Sequence, residues 1–418
     1  GDAHLRAAPR RKRKAVSLQG RIVGLENDVG SGVVGIDVDR VGAGHGARRG
    51  KADVARDRVG DCGHPEPIPP DMPQQFTLKY RGGNEPWRGM DSSMQALIFK
   101  DVRRMALEDV AEPSPASGEA IVEVGACGIC GSDLEGYVGT PGMRARRAPP
   151  LLLGHEFAGT VISGPSDIEG RRVAVYPLVT CGRCDKCAAG RSQLCRSRSL
   201  IGLQRPGAFA QRVAVPVRQL HELPDGVPSH VGAVAEPLAV ALHALALAGS
   251  PVSERRVMVF GAGAIGWLAA WAAARAGALV TSIDVDAARR TRALEAGVEV
   301  ADSPPHEEAD ITIDSVGVQA TRKAAVESLT PGGTAIFLGL HDDSHEASFY
   351  PVVLEERRIQ GCFAYGVDDF REAIRLCGEV PESYVSRVPL SKGDEAFAAL
   401  ARGDDYLKIV LEPNGNSA

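Results

Sequence analysis

Arg256-Val-Met-Val-Phe260, Gly261-Ala-Gly263-Ala-Ile265-Gly266 and, beyond a run rich in alanine, Leu279-Val-Thr-Ser-Ile283-Asp284 follow one another in a single stretch. The first segment is an apolar run of strand length, the second a glycine-rich turn opening a helix, the third a strand closing on a carboxylate. Gly261 permits a tight turn, Gly263 lets backbone approach a pyrophosphate, and Gly266 allows the helix to pack closely on the strand. The phosphates would lie on the helix N-terminus, where free N–H groups and the dipole favour anions. Gly261, Gly263, Ile265 and Gly266 are thus the candidate pyrophosphate contacts. A carboxylate at Asp284 would hydrogen-bond the adenosine ribose hydroxyls and repel a 2′-phosphate, so NAD is expected over NADP. Arg289 and Arg290, just beyond, keep NADP as the alternative.

Outward from this stretch, strands alternate with helices from residue 256 to about 362, the signature of a doubly wound parallel sheet of βαβ units. An Ala/Leu-rich helix is expected over 231–248. The chain from 94 to about 230 reads differently, as short strands at 95–99, 120–126, 156–163, 172–175 and 210–215 between Gly/Pro turns. That spacing suggests an antiparallel, barrel-like domain. Helix, loop, helix and a strand at 407–411 complete the chain. Between the second and fourth strands of the parallel sheet, residues 299–308 are too few for a full crossover, so an element there is expected to be trimmed.

Residues 1–93 hold no sustained period. They carry 16 Lys and Arg against 12 Asp and Glu, and 22 of the 93 are Gly or Pro. We read them, including the basic run Arg10–Lys14, as a disordered or spurious extension, with a chain beginning at Met94 expected to fold and work. The remainder carries 32 basic against 41 acidic residues, a balance that argues against a nucleic-acid or anionic-membrane partner. No apolar run approaches a membrane span and no export signal is evident, so a soluble, cytoplasmic protein is expected.

Six of the nine cysteines fall in two local groups. Cys181-x-x-Cys184-x-x-Cys187 with Cys195 offers four thiolates in one polar loop, which suits a closed, structural zinc site; iron–sulfur spacings do not match. The second set is dispersed. Cys130 stands in Gly128-Ile-Cys-Gly-Ser-Asp133, and Gly154-His-Glu156 follows. Cys130, His155 and a carboxylate would leave one position of a tetrahedral zinc open to substrate. Cys62, Cys362 and Cys377 are isolated.

Gly128-Ile-Cys-Gly-Ser-Asp133, Gly154-His-Glu156, the four-cysteine loop, Ala235-Glu-Pro-Leu238 and the glycine turn occur in that order, and together they resemble the zinc-dependent medium-chain dehydrogenase/reductases. The resemblance covers 94–418, and its Glu-Pro-Leu variant is similar to the polyol and sorbitol dehydrogenase branch. It implies an α/β fold in which a GroES-like β-barrel catalytic domain (94–234 plus 366–418, with the structural zinc loop 181–195) is interrupted by a Rossmann domain (235–365). It implies Cys130 and His155 as ligands of a catalytic zinc, with Glu156 favoured over Glu236 as the third. Asp133 would orient a ligand, Ser132 receive the substrate proton and Lys408 contact the cofactor pyrophosphate. Cys127 is a neighbour without a matched role. The family often carries a histidine, passing the proton to solvent, where this chain has Glu135; either Glu135 acts as the base or release runs through water or ribose.

The chemistry so implied is reversible NAD-linked oxidation of a secondary alcohol to a ketone by a homodimer or homotetramer holding one catalytic and one structural Zn²⁺. Polyols or sugar alcohols, phosphorylated or not, are the expected substrates, with threonine or simple alcohols as alternatives. Arg144, Arg146 and Arg147 would lie near the cleft mouth, where they could meet a substrate phosphate or carboxylate. The region around His341, Asp342, Asp343 and His345 could border the cofactor. Two readings from other classes are a zinc-ribbon-like nucleic-acid module and a non-catalytic nucleotide- and zinc-binding protein.

Overall fold

The computed structural model describes residues 93–144, 146–343 and 348–415. The expectation for 1–92 falls outside them, as do His345 and the Arg144 side chain. The first strand starts at Ser93, one residue ahead of the expected boundary.

Strand Glu119–Gly128 organises the antiparallel half. Its buried Ala120, Ile121, Val122, Val124 and Ala126 face a core, and it is paired along both edges. One edge takes Glu156–Ser163. The other is shared by Arg212–Pro216 and, at its C-terminal end, Lys408–Glu412. A hairpin of Ser93–Asp101 with Arg104–Ala111 packs alongside, its Leu97, Ile98 and Phe99 in one cluster with Phe157, Phe209 and Phe397. Arg104–Ala111 is a strand that the sequence pattern did not indicate.

The parallel half is a six-stranded sheet. Arg256–Phe260 lies between Leu279–Ile283, followed outward by Glu299–Ala301, and Ala309–Asp314, followed by Leu329–Phe337 and Arg358–Gly361. Strands covered on both faces need no polar alternation, which is why Val257, Val259, Ile311 and Ile313 are all buried. The chain leaves Arg256–Phe260 in one direction along the sheet and returns to its other side at Ala309–Asp314, so a crevice opens beyond Phe260 and Asp314. Residues 302–308 make that return without a helix.

Helices Ala235–Ala248, Ala264–Arg275 and Val367–Leu376 contribute Leu238, Ala241, Trp267, Leu268, Phe370 and Ala373 to one buried cluster. Ser229–Ala248 is, against the sequence reading, long and apolar enough to cross a membrane. Yet 72% of its most apolar window is buried within the protein, as befits a core helix. After Val367–Leu376, strands Val385–Pro389 and Lys408–Glu412 pair in parallel and carry the chain back to the first sheet.

Candidate metal and nucleotide sites

The 181–195 loop brings four sulfurs together. Cys181 Sγ lies 3.9 Å from Cys187 Sγ and 3.5 Å from Cys195 Sγ, and Cys184 Sγ lies 3.5 Å from Cys187 Sγ. Zinc–sulfur bonds of about 2.3 Å at tetrahedral angles would set the sulfurs roughly 3.8 Å apart, whereas a disulfide needs about 2.05 Å. The set has the size of a zinc site and is too wide for cross-links. Backbone N–H groups of Arg183 and Cys184 pull the Cys181 thiol down to about 6, while burial and then the Cys184 sulfur push Cys187 up to about 11, so the four thiols ionise unequally in the absence of a cation.

The second set is assembled by strand register. Gly128 pairs with Glu156, so Cys130, capping helix Gly131–Val138, comes level with His155 at the start of the next strand. A Cβ at Gly128 would fall 2.2 Å from Glu156 Oε2, so only glycine leaves room for that carboxylate. The donor atoms of Cys130, His155 and Glu156 lie within 4.8 Å of one another. Thiolate, imidazole and carboxylate are donors that zinc accepts, and these three fit such an ion. Burial first, then Glu156 and Asp133, push the Cys130 thiol up to about 11, an ionisation cost that a bound cation would reverse.

Around this trio the chain is densely charged. Asp133, fully buried, lies 3.6 Å from His155 Nδ1 and 3.0 Å from Arg147 Nη1. His155 therefore turns Nδ1 to a carboxylate and leaves Nε2 for a metal, the arrangement by which carboxylates orient ligating imidazoles. Ser132 Oγ lies 3.3 Å from Cys130 Sγ and accepts a 2.7 Å hydrogen bond from Arg147 Nη2. Glu236 stands aside from the trio, its Oε1 accepting a 2.8 Å bond from the Tyr365 hydroxyl. Burial, then the neighbouring Glu156, pushes Glu236 up to about 8. Cys127, also outside the trio, is buried against Gly154.

Two expectations need correcting. Lys408, expected at the cofactor pyrophosphate, is bonded into the metal pocket: it is 3% exposed and donates to Glu156 Oε1 at 2.8 Å, Glu156 Oε2 at 2.6 Å and the Ile129 carbonyl at 3.1 Å. All three of its N–H bonds are spent, because its strand is hydrogen-bonded beside Gly128 and points the side chain into the metal pocket. Arg147 likewise does not wait at a cleft mouth. It is buried on Asp133 and Ser132, while Arg146 stays exposed. No sequence signal separated Arg147 from its basic neighbours, and Tyr365 as a partner of Glu236 went unread for the same reason. Glu135 is half-exposed, 3.9 Å from His341 Nδ1; Asp342 accepts the Gln319 N–H and Asp343 is exposed.

The nucleotide turn sits at the crevice in the parallel sheet. Gly261 adopts φ +93°, and a Cβ on Gly266 would lie 1.8 Å from the Gly261 carbonyl oxygen. Gly263 caps helix Ala264–Arg275 without a side-chain bond, leaving the first N–H groups free for an anion beside half-buried Ile265. Asp284 Oδ2 accepts the Ala262 N–H at 2.8 Å and Oδ1 the Asp286 N–H at 2.9 Å, which fixes the carboxylate at the turn. Arg290 donates to the Asp284 carbonyl, and Arg289 Nη1 lies 3.9 Å from Oδ2. The turn, the bare helix end and the fixed carboxylate fit a dinucleotide.

Comparison with known proteins follows the same division of the chain. Residues 116–225 match the family model described as alcohol dehydrogenase GroES-like domain, and residues 264–379 that described as zinc-binding dehydrogenase. A 2-dehydro-3-deoxy-L-galactonate 5-dehydrogenase of Pseudoalteromonas atlantica is 30% identical over 321 residues, 72% of this chain and 93% of the relative. Among solved structures, a protein of Sinorhizobium meliloti 1021 described as a zinc-binding dehydrogenase and bound to NADP is 31% identical. It has a TM-score of 0.68 and covers 77% of this chain and 100% of its own. Acetophenone reductase from Geotrichum candidum in complex with NAD is 27% identical with a TM-score of 0.71, over 79% and 100% of the two chains.

Proposed function

The chain belongs to the zinc-dependent medium-chain dehydrogenase/reductases, polyol-dehydrogenase-like, and on that premise we propose that it oxidises a secondary hydroxyl of a polyol, sugar alcohol or sugar acid to the ketone, reversibly, with NAD as the preferred acceptor. That it is a zinc-type NAD(P) oxidoreductase acting on small-molecule alcohols follows from the family. The observation that carries this reading is the trio of half-buried Cys130 with buried His155 and Glu156, and the Ser132 hydroxyl beside it.

Zinc in such a site supplies Lewis acidity to an alcohol, and a nicotinamide takes up the hydride. The remaining work belongs to side chains. Ser132 Oγ accepts the alcohol's proton from a position beside Cys130. Asp133 holds the His155 ring, and the Lys408 ammonium balances the Glu156 carboxylate so that the pocket does not carry an uncompensated excess of negative charge. Asp284, with both oxygens already held by backbone N–H groups, offers its remaining lone pairs to ribose hydroxyls and repels a 2′-phosphate. Support for a sugar acid or polyol comes from the Pseudoalteromonas relative, whose name specifies a sugar-acid dehydrogenase.

The test is C130S, assayed by NAD⁺ and NADP⁺ reduction over polyols, polyol phosphates, sugar acids and threonine, with zinc counted per chain. Turnover and one of two zinc ions should be lost while NAD binding remains. Turnover at the wild-type rate by C130S would sink the assignment.

A further inference from the structure

We infer that Arg147 is a positioning residue for proton transfer, holding the Ser132 hydroxyl in the one orientation from which it can accept a proton from the substrate; the inference rests on the reading of Ser132 given above. Arg147 is 4% exposed and stands between two groups of the metal pocket. Its Nη2 donates to Ser132 Oγ at 2.7 Å, and its Nη1 lies 3.0 Å from Asp133, the carboxylate beside His155. One rigid, planar guanidinium therefore spaces the hydroxyl from the imidazole.

A serine hydroxyl has one donor and two acceptor positions. In Ser132 the O–H points to Cys130 Sγ and one lone pair is taken by Arg147, which leaves one lone pair for a substrate hydroxyl. Without the guanidinium the hydroxyl would be free to rotate or to take up a water. Arg147 itself cannot receive the proton, since guanidinium stays protonated at any working pH. The balance is accordingly local to Ser132. The substrate O–H bond breaks toward Oγ while the Ser132 O–H, turning from Cys130 Sγ with its oxygen still held by Arg147, gives its proton to a water of the cleft, and the C–H electron pair leaves with the hydride to nicotinamide.

The fold has made room for this contact. Gly136, one turn beyond Ser132 on helix Gly131–Val138, faces the Arg147 stem, and a Cβ there would fall 2.6 Å from Arg147 Cδ. Nε and Nη1 of Arg147 have no well-formed hydrogen bond although both are buried, so the Ser132 bond is the best satisfied of its contacts. A guanidinium kept only to balance Asp133 would gain nothing from that geometry.

The experiment is a kinetic cycle on the full chain, with zinc content and thermal midpoint measured on each variant. R147M should lower kcat about 10- to 100-fold, the range usual for groups that orient catalytic ones, while KM moves less than about threefold. R147K should recover part of the loss. S132A and the double variant R147M/S132A should turn over at the same rate within about threefold, because Arg147 acts through Ser132. G136A keeps every charge and displaces the Arg147 stem, so it should lower kcat in a protein that still folds cooperatively and keeps its zinc. If R147M does not fold, G136A and R147K carry the test. An R147M kcat within threefold of wild type, an undiminished kcat in G136A, or losses that multiply in the double variant would overturn the inference. Absence of alcohol turnover in the wild type would overturn the proposed function and this inference with it; wild-type turnover with an unchanged R147M overturns this one alone.

Discussion

Lys408 keeps a full positive charge where almost no water reaches. Burial works against the ammonium, and Glu156, with Tyr384 and Cys130, outweighs it, so the net shift of its pKa is upward. Such a pair is worth less in its making than in its breaking: replacing one partner leaves the other charge buried alone, at a cost of about 3–5 kcal/mol. K408M should therefore destabilise the metal-free protein by about that amount in urea unfolding, and K408M/E156Q should regain most of it. A K408M protein as stable as wild type would mean that Glu156 finds another counter-charge. In the sequence Lys408 is a basic residue before an apolar run, which the resemblance assigned to the cofactor pyrophosphate; its bond to Glu156 depends on a strand pairing across most of the chain. The cysteine and glycine spacings, by contrast, were legible because their chemistry depends on residues close together in sequence.

At the scale of elements, strands with an uninterrupted apolar face were readable to within a residue or two, as at Glu156–Ser163, Arg172–Val175, Arg256–Phe260 and Leu279–Ile283. Arg104–Ala111 was not, because only Met105 and Val110 are buried in it and an odd spacing of five breaks the two-residue alternation. Another element contact carries a pH dependence. His221, on strand Leu220–Glu222, packs its ring 5.4 Å from Phe370 of helix Val367–Leu376 and 6.5 Å from Tyr176. Burial first, then Arg371, lowers its pKa from 6.5 to about 4. The folded protein thus holds this imidazole neutral while the unfolded chain binds a proton near 6.5. The stability it contributes is complete above that value and is lost as pH falls from about 6.5 toward 4. H221Q should lose less of its thermal midpoint between pH 7 and pH 5 than wild type does; equal losses would remove His221 from the account.

The whole described molecule is a chain that leaves one sheet, builds another and returns to the first. Among the described residues, each strand of the first sheet is paired with at least one other. A chain beginning at Met94 should accordingly fold and keep the kcat of the full chain, checked by circular dichroism and NAD⁺ reduction side by side. Loss of the fold on this truncation would show that earlier residues complete it. The order of the two halves was legible from the change of pattern near residue 230, whereas the return of 366–418 to the first half came only from the family resemblance, since it rests on pairings such as Lys408–Glu412 with Glu119–Gly128.

That returning strand also sets a timetable. During synthesis, Cys130, His155 and Glu156 emerge together, but the counter-charge of Glu156 lies 252 residues further on. For most of its time on the ribosome the nascent chain displays a thiol, an imidazole and an unbalanced carboxylate with nothing to close over them. A metal captured then would be held in an open, exchangeable site. Only when Lys408 arrives and its strand docks beside Gly128 does Glu156 gain its counter-charge, so the pocket seen in the folded protein is complete only once nearly the whole chain has been made.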